Sequence, residues 1–198
     1  HRVDRRQRQM CIRDRLVMLG NLDPGIQIDI LSQIENDDKF VILDTMNYWI
    51  DNTEKKLFEI ISKVNLIVIN DEESKMIAKS DSLQKCAEHI INCGPEYVII
   101  KKGSKGAELF SKQKKSTIPA FNIKNVIDPT GAGDTFVGGI CGYLNSRPKI
   151  DFVELHNSMI YGTVIASFCI EEFGLAGLQK LKKENIESRI KTFNKYLL

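Results

Sequence analysis

VIDPTGAGDTF, residues 126–136, is the stretch that decides the fold. Its apolar start predicts the end of a strand, its centre a tight turn, and its last residues the start of a helix that runs to Leu144. Gly131 and Gly133 lack Cβ atoms, so the backbone can bend sharply there and approach a ligand closely. The backbone N–H groups at a helix start are unpaired donors that can hold an anion, and the helix dipole favours negative charge in that place.

Asp134 follows this turn directly and places a carboxylate beside the phosphate-sized site. A carboxylate in that position can take a proton from an attacking hydroxyl group. The alternative interpretation is that Asp134 caps the helix and that the glycines are ordinary turn residues. Two other phosphate-binding motifs are excluded: the chain has no Gly-x-x-x-x-Gly-Lys-Ser/Thr, and the pattern Gly-x-Gly-x-x-Gly fails because its last position is Phe136.

The longer pattern Asp-x-x-Gly-Ala-Gly-Asp resembles the second signature of the ribokinase-like (PfkB) carbohydrate kinases. The resemblance runs from about Leu16 to the C-terminus. It implies an α/β fold, a three-layer αβα arrangement with a mainly parallel central sheet, and the use of ATP and Mg²⁺ to phosphorylate a hydroxyl group of a sugar or related small molecule. Asp134 is then the implied catalytic base. The amides of Gly131, Ala132 and Gly133 are implied to stabilise charge on the transferred phosphoryl group.

The 198 residues, 42% of them hydrophobic, are enough for one domain with a substantial core. Residues 1–15 differ abruptly from the rest, with six Arg and no apolar periodicity, so we predict a non-native or disordered leader there; a genuine basic N-terminal arm is the alternative. Residues 16–198 are predicted to form the C-terminal nucleotide-binding and catalytic part of a ribokinase-like domain. Compared with the family, the chain lacks the N-terminal strands and the lid over the sugar. Because a lid excludes water from phosphoryl transfer, activity of this chain by itself stays an open question.

Charge and cysteine usage narrow the classes of partner. Because residues 1–15 contribute a net charge of +4 to the chain's +2, the remainder carries −2, which gives no electrostatic reason to expect nucleic acid or a membrane surface. The five cysteines show no Cys-x-x-Cys pair and no matching His cluster, which argues against zinc and against a disulfide framework. The longest apolar run, residues 159–170, is too short to span a bilayer. The sequence therefore predicts a cytoplasmic protein.

Continuous apolar runs alternate with segments of helical periodicity along the body of the chain. This pattern predicts a parallel sheet covered on both faces, in which ligands bind at the carboxyl ends of the strands. Residues at the predicted strand ends are Asp44, Asn70, Gly103 and Asp128. The predicted strands are 16–19, 40–43, 66–69, 97–100 and 107–110. The predicted helices are 27–35, 72–78, 83–92, 135–144, 152–170 and 183–196. A further helix is predicted between 27–35 and 72–78, with Asn52 or Thr53 as its N-cap.

Asn70 and Glu73 form the second candidate site. If a helix starts at Asn70, the two side chains share one face of its first turn. An amide and a carboxylate suit Mg²⁺, often through water, near nucleotide phosphates. The alternative is a helix cap in which each residue binds the other's backbone. The family resemblance places an Asn-x-x-Glu here and implies that Asn70 and Glu73 organise the metal and the phosphates.

The run Lys101-Lys102-Gly103-Ser104-Lys105-Gly106 resembles the family's nucleotide loop, which carries Gly-x-x-Gly after a strand. The resemblance implies that Lys101, Gly103, Ser104 and Gly106 bind the nucleotide, since glycine permits close passage of the backbone by phosphates or sugar. A hairpin turn is the alternative, and both can hold at once. Lys102 and Lys105 are expected to be solvated surface residues.

Asp128 and Thr130 resemble family positions that shape a monovalent-cation site, which makes K⁺ a further candidate cofactor. Pro129 stands where many family members have a small or hydroxylated residue, so potassium dependence stays open. The segment 166–174 resembles the family's passage from a helix into a loop that completes the nucleotide pocket, from which Gly174 is carried over.

The substrate is left open between two classes. A sugar-like small molecule is the first candidate, and a nucleoside or pyrimidine kinase of the same fold is the second. A non-catalytic nucleotide-binding fragment is a third interpretation, against which the intact Asp134 argues. Asp44 and Asn47 follow a strand and are candidates for contact with phosphate or substrate, and a homodimer is a candidate assembly of a full-length parent.

Overall fold

The computed structural model describes residues 15–35 and 38–197. The predicted leader therefore lies outside the described residues, except for Arg15. The chain divides into two compact units. The first unit runs up to Ile100 and includes Phe110–Gln113, and the second comprises Lys101–Leu109 and the residues from Lys114 onward.

The first unit alternates short strands with helices. Its strands are β1 (Leu16–Leu19), β2 (Phe40–Asp44), β3 (Leu66–Asn70) and β4 (Tyr97–Lys101), and its helices are α1 (Pro24–Ser32), α2 (Asn47–Asn52), α3 (Glu54–Ile61), α4 (Asp71–Ala78) and α5 (Leu83–Asn92). Strand β1 pairs in parallel with β2, and β2 in parallel with β3. A parallel pair needs a long crossover between its strands, and the intervening helices supply it. The predicted α/β architecture is thus observed.

An aliphatic core forms the interior of the first unit. Strands β2, β3 and β4 are buried almost throughout, as their continuous apolar runs predict for a parallel sheet. Helix α3 packs against them with Leu57, Ile60 and Ile61, none of which is exposed at all. Full burial of each such side chain stabilises the fold by about 1.5–3 kcal/mol.

The second unit carries the glycine turn. It contains β5 (Ala107–Phe110), β6 (Lys115–Ile118), α6 (Ala132–Leu144), α7 (Phe152–Cys169), α8 (Ala176–Gln179) and α9 (Lys183–Leu197), and a 3₁₀ turn at Gly103–Lys105. Within the first unit the strands follow the order β1-β2-β3-β4, and within the second β5 lies beside β6. Asp151 caps α7, since its carboxylate accepts from the N–H groups of Val153 and Glu154.

Helices α6 and α7 pack unusually closely, and glycine is the reason. A Cβ on Gly162 of α7 would lie 2.6 Å from the carbonyl oxygen of Phe136, and a Cβ on Gly139 of α6 would lie 2.8 Å from the Gly162 Cα. No real side chain fits in that space without movement of the backbone. The two glycines therefore fix how α6, which begins at the Gly-Ala-Gly turn, lies on α7.

The structure moves several predicted boundaries. Helix α6 begins at Ala132 instead of residue 135, and α1 spans Pro24–Ser32 instead of residues 27–35. Helix α1 starts early because Pro24 suits the first helical position and Asp23 accepts a hydrogen bond from the Gly25 N–H. The short helices α2 and α8 were not predicted, since neither is long enough to show a period. None of the helices in the described ranges is both long and apolar enough to cross a membrane.

Candidate functional site

The turn before α6 is shaped by three local features. Gly131 is the N-cap of the helix and has a φ of 77°, a left-handed conformation that glycine adopts without strain. The Thr130 N–H donates to Asp128 Oδ1 over 2.9 Å, and the Ala132 N–H donates to the Pro129 carbonyl over 3.2 Å. The amide of Ala132, predicted to bind phosphate, therefore already has an acceptor within the turn.

The start of α6 has no side-chain cap. Asp134, the third residue of the helix, is exposed, and no side chain accepts a capping hydrogen bond from the first turn. The alternative interpretation, in which Asp134 caps α6, is therefore not what the structure shows. The arrangement presents helix-start amides and a solvent-accessible carboxylate side by side, which is the combination that an anion site with an adjacent base requires.

The ammonium group of Lys101 lies beside the same helix start. A methyl group built on Gly133 would lie 3.4 Å from Lys101 Nζ, a tight contact. Gly133 has an ordinary helical backbone, so its missing side chain serves the approach of Lys101 rather than the conformation of the chain. Cations normally favour the C-terminal end of a helix, because the N-terminal end carries the positive pole of the dipole. The charge of the Lys101 ammonium therefore adds to the positive end of the helix dipole at the place where an anion is predicted to bind.

The glycine loop, residues 103–106, is a tight 3₁₀ turn. The Lys102 N–H donates to the Gly106 carbonyl over 2.7 Å and closes the loop at its base. Gly106 has a φ of 86°, and a Cβ there would collide with the backbone of Ile118 and Pro119. A Cβ added to Gly103 would have no atom within 4 Å, and Ser104 is exposed. The predicted turn is therefore observed, and Gly103, Ser104 and Lys105 are exposed on its outer side. Nucleotide binding by this loop stays a prediction.

Lys102 differs from the prediction that it is a solvated surface residue. Its side chain is only 17% exposed, and its Nζ lies 2.6 Å from Glu108 Oε1. Lys115 binds the other carboxylate oxygen of Glu108 over 2.9 Å. Burial alone would raise the pKa of Glu108, but the hydrogen bonds and charges of the two lysines outweigh it and hold that pKa below its usual value. Glu108 thus anchors the base of the glycine loop, whereas Lys105 is exposed as predicted.

Asp128 joins the glycine turn to the end of α7. Its pKa is held below the usual value, mainly because the Thr130 N–H donates to Oδ1 over 2.9 Å. The Ile170 carbonyl accepts from the N–H groups of Ile127, over 2.8 Å, and Asp128, over 3.4 Å. The structure therefore joins the glycine turn to the end of α7, although 42 positions separate Asp128 from Ile170 in the sequence.

Asn70 and Glu73 belong to the first unit and form a reciprocal capping box. Asn70 Oδ1 accepts from the Glu73 N–H, and Glu73 Oε2 accepts from the Asn70 N–H, each over 2.8 Å. Glu73 is 6% exposed. The capping alternative is thus observed, and it holds the two side chains on one face of α4 as predicted.

The side-chain oxygen atoms of Asn70 and Glu73 are the candidate ligands for Mg²⁺. Within residues 15–35 and 38–197, no group of three or more His, Cys, Asp or Glu side chains is placed to hold a metal ion. Asn70 and Glu73 offer hard oxygen atoms, but the single side-chain oxygen of Asn70 and one carboxylate oxygen of Glu73 already accept from a backbone N–H. They fit a magnesium ion that keeps several waters and gains other ligands from phosphate oxygens. Of the other two candidates in this unit, Asp44 is buried and Asn47 is exposed.

A shallow cavity of about 400 Å³ lies next to the Asp128 turn in the second unit. Its lining combines amides, charges and apolar groups, namely Phe121, Asn122, Ile123, Lys124, Asn125, Ile127 and Glu171. None of these residues is among the predicted nucleotide or phosphate contacts. The chemistry at the start of α6 is the better guide to the site, because it pairs donors with a carboxylate.

Comparison with known proteins identifies the family. The model of the pfkB family of carbohydrate kinases matches residues 16–181, and the chain belongs to that family. The resemblance drawn from the glycine turn is therefore confirmed.

Two curated relatives and one solved structure illustrate the similarity. A cytidine kinase from Thermococcus kodakarensis is 34% identical over 143 residues, which are 69% of this chain and 50% of that protein. A nucleoside kinase from Methanocaldococcus jannaschii is 31% identical over 124 residues, 62% of this chain and 38% of that protein. The structure of ribokinase from Giardia lamblia matches with a TM-score of 0.79 at 16% identity, covering 93% of this chain and 61% of that one, and so confirms the ribokinase-like fold. The chain spans about half the length of these curated relatives or less.

Two sets of contacts in the second unit escaped sequence analysis. Glu108 with its two lysines looks like ordinary strand and hairpin sequence, and Arg189 on α9 looks like one charge among many on an amphipathic helix. The partners of Arg189 lie 18 and 22 positions away, so no local spacing could reveal them. The only signal was the rarity of arginine after residue 15, where Arg147 and Arg189 are the two present.

Proposed function

We propose that this chain supplies the nucleotide-binding and phosphoryl-transfer residues of an ATP- and Mg²⁺-dependent kinase that phosphorylates a hydroxyl group of a small molecule. One observation carries the proposal: an exposed carboxylate, Asp134, and a lysine ammonium, Lys101, both lie at the uncapped start of α6. Membership in the PfkB family supports it. A cytoplasmic location is proposed with it, since ATP is used there, and a homodimer of the full-length protein remains an expectation.

Asp134 is the proposed general base. It is exposed and belongs to the first turn of α6, so a hydroxyl group of the acceptor can reach it. Proton transfer to a well-placed side chain contributes about 10²–10⁴-fold to a rate. The amides of Gly131 and Gly133 and the ammonium of Lys101 would hold the transferred phosphoryl group and stabilise its charge, which is the main task of a phosphoryl-transfer site.

The nucleotide and its ions are assigned to the remaining candidates. The exposed residues Gly103 and Ser104 would pass close to the nucleotide, and Gly106 would support the loop from the side that packs on Ile118 and Pro119. Gly174 would border the nucleotide at the other side of the pocket. Bound Mg²⁺ neutralises charge on the phosphates, and Asn70 and Glu73 would orient it through water. Asp128 stays ionised to a lower pH than an ordinary aspartate, and with Thr130 it suits a monovalent cation such as K⁺.

The acceptor is proposed to be a sugar or a nucleoside. The names of the relatives favour the nucleoside alternative, because cytidine kinase and nucleoside kinase match this chain at 34% and 31% identity. A ribokinase and a fructokinase also match, at 26% and 34% identity, so the sugar class stays a candidate. A non-catalytic nucleotide-binding role is the third proposal, and turnover by the purified protein decides between it and the kinases.

The test replaces Asp134 by Asn, which keeps the size of the side chain and removes the base. Phosphoryl transfer to a panel of sugars and nucleosides should fall about 10²–10⁴-fold, while calorimetry with ATP and Mg²⁺ should show affinity within about threefold of wild type. Glu184→Gln, which removes an acidic side chain from the first turn of α9, is the control and should leave both unchanged. Wild-type turnover in the Asp134→Asn variant would show that Asp134 is not the general base.

A further inference from the structure

Arg189, on the C-terminal helix α9, makes a dense set of contacts with the end of α7. One terminal nitrogen, Nη1, donates to Glu171 Oε2 over 2.7 Å and to Ser167 Oγ over 2.9 Å. The side chain of Arg189 is 20% exposed and that of Glu171 35%, so the ion pair is partly shielded from solvent. Charge-assisted hydrogen bonds of this kind are stronger and more directional than neutral ones.

Aromatic rings hold the guanidinium of Arg189 in place. The ring of Phe168 lies 3.5 Å from its central carbon and the ring of Phe121 lies 5.2 Å away. Phe121 in turn packs on Phe193 of α9, with 5.6 Å between ring centroids. Arginine stacks on aromatic faces better than lysine does, because its guanidinium is flat and weakly hydrated. The rings of Phe168 and Phe121 therefore help to hold the guanidinium of Arg189 in the position from which it bonds Glu171.

Glu171 is the second residue of the 170–175 turn, the segment that lies against the glycine turn. The Ile170 carbonyl accepts from the N–H groups of Ile127, over 2.8 Å, and Asp128, over 3.4 Å. Cys169 Sγ lies 3.7 Å from the Thr130 carbonyl oxygen. Any shift of this turn therefore moves the hydrogen-bond partners of Asp128, two residues before Thr130 and six before Asp134.

The 170–175 turn has little packing of its own. Phe173 and Leu175 are 74% and 65% exposed, and Gly174 adopts a left-handed conformation with a φ of 56°. The other ion pair of the turn, Lys180 with Glu172, has side chains that are 71% and 41% exposed. Exposed ion pairs contribute little to stability, so we expect the better-shielded bond from Arg189 to Glu171 to restrain the turn more than the Lys180–Glu172 pair does.

We propose that Arg189 is a positioning residue for the nucleotide site: by clamping Glu171, it holds the 170–175 turn against Asp128. The inference rests on the proposed function, because it assigns a nucleotide to that site. Arg189 touches none of the proposed reacting groups and acts through Glu171 and Ile170. The C-terminal helix thereby tunes nucleotide affinity from outside the site.

The first experiment measures amide hydrogen exchange in the absence of nucleotide. Arg189→Gln should speed exchange across residues 170–176 by about tenfold or more, since local opening becomes easier when the clamp is lost. Lys180→Gln removes the exposed ion pair of the same turn and is the matched control, expected within about twofold of wild type. Exchange at residues 66–77 of the first unit should not change in either variant. Unchanged exchange at 170–176 in Arg189→Gln overturns the proposal.

The second experiment measures ATP affinity by calorimetry at a temperature where each variant is fully folded. Arg189→Gln and Glu171→Gln should each raise the dissociation constant about tenfold, and the double variant should be no worse than either single one, because they break the same interaction. Arg189→Lys keeps the charge without the flat guanidinium and should fall between wild type and Arg189→Gln. Affinity within about twofold of wild type in Arg189→Gln, together with a lowered melting temperature, would show a merely structural role and overturn the proposal.

The two measurements separate this inference from the proposed function. If the wild-type protein binds no nucleotide, the proposed function fails, and the exchange experiment still decides whether Arg189 positions the 170–175 turn. If the wild-type protein binds ATP but Arg189→Gln changes neither exchange nor affinity, the proposed function stands and the clamp is rejected.

Discussion

The two units of this molecule are built on different principles. The first unit owes its order to aliphatic burial: Leu57, Ile67 and Ile90 are completely inaccessible, and strands β2 to β4 are apolar along almost their whole length. The second unit is ordered at its critical points by glycine contacts and by paired charges, at Gly139 and Gly162, at Glu108 and at Arg189. Nondirectional packing suits a scaffold, whereas close backbone contacts and directional bonds fix the placement of particular atoms.

The two units should therefore respond to different kinds of substitution. In the first unit, loss of volume should destabilise the fold in proportion to burial. In the second unit, addition of volume at a glycine or removal of one charge should matter more than loss of a methyl group. The predictions below test this contrast, from the largest expected effect to the smallest.

The largest effect is expected in the first unit. Leu57→Ala should lower the free energy of unfolding by about 2–5 kcal/mol, because it leaves a cavity among fully buried neighbours. Ile26→Ala, at a position that is 50% exposed, is the control and should cost less than about 1 kcal/mol. Chemical denaturation of both variants measures the difference, and equal losses would refute the dependence on burial.

The second-largest effect is expected in the second unit, where a substitution adds volume instead of removing it. Gly162→Ala adds a methyl group where the Phe136 carbonyl lies 2.6 Å away, so it should cost about 1–3 kcal/mol of stability. Gly142→Ala, in the exposed face of α6 with no atom within 4 Å, should instead stabilise the protein by up to about 1 kcal/mol. If thermal unfolding shows the same sign for both alanines, the close packing of α6 and α7 is not limiting.

A smaller effect is expected at Glu108, and it depends on pH. Glu108→Gln should cost about 1–2 kcal/mol at pH 7, because Lys102 and Lys115 lose their charged partner. The pKa of Glu108 is lowered in the folded protein, so its contribution is complete above the pKa of the unfolded chain and is lost as pH falls through the folded value. The difference between wild type and variant, measured by denaturation at several pH values, should therefore shrink in acid.

The control for that prediction is Glu59→Gln in the first unit. Glu59 forms an ion pair with Lys63 on the surface, with side chains that are 51% and 45% exposed. Its loss should change stability by less than about 0.5 kcal/mol at any pH. A pH-dependent loss as large as that of Glu108→Gln would mean that burial of the Glu108 pair is unimportant.

The smallest change in stability is expected at Glu73. Glutamine also completes a capping box, so Glu73→Gln should keep the free energy of unfolding within about 0.5 kcal/mol. The same change removes a carboxylate from the proposed magnesium site and should weaken the Mg²⁺ dependence of ATP binding about tenfold. Unaltered Mg²⁺ dependence, measured by calorimetry across a magnesium titration, would assign Glu73 to the cap alone.

What the sequence could predict was mainly local. The bounds of α5 and β5 were predicted as observed, because an apolar period and a nearby turn define them. The spacing of Asn70 and Glu73 likewise predicted a shared helix face. Helix α2, with six residues, is too short to show a period, and it begins at Asn47, within a stretch that was interpreted only as a strand end.

The remainder depends on contacts between residues far apart in the chain. The Ile170 carbonyl binds the amides of Ile127 and Asp128, and Arg189 binds Glu171 and Ser167, through the packing of α7 and α9. Lys102 was assigned to the surface because lysine usually lies there, and the buried Glu108 that reverses this assignment gives no sign in the sequence. The family resemblance named both Asp134 and Lys101, but it gave no sign that the Lys101 ammonium lies beside Gly133 at the start of α6.

Gly133 shows how little freedom the glycine turn leaves to evolution. Its backbone would accept any residue, yet the smallest replacement available to the genetic code, alanine, would already press a methyl group against the Lys101 ammonium. Because Nζ is the mobile end of a long side chain, it would need to give way by only a few tenths of an ångström to admit that methyl group. Larger side chains at residue 133 are expected to displace the Lys101 ammonium from the start of α6.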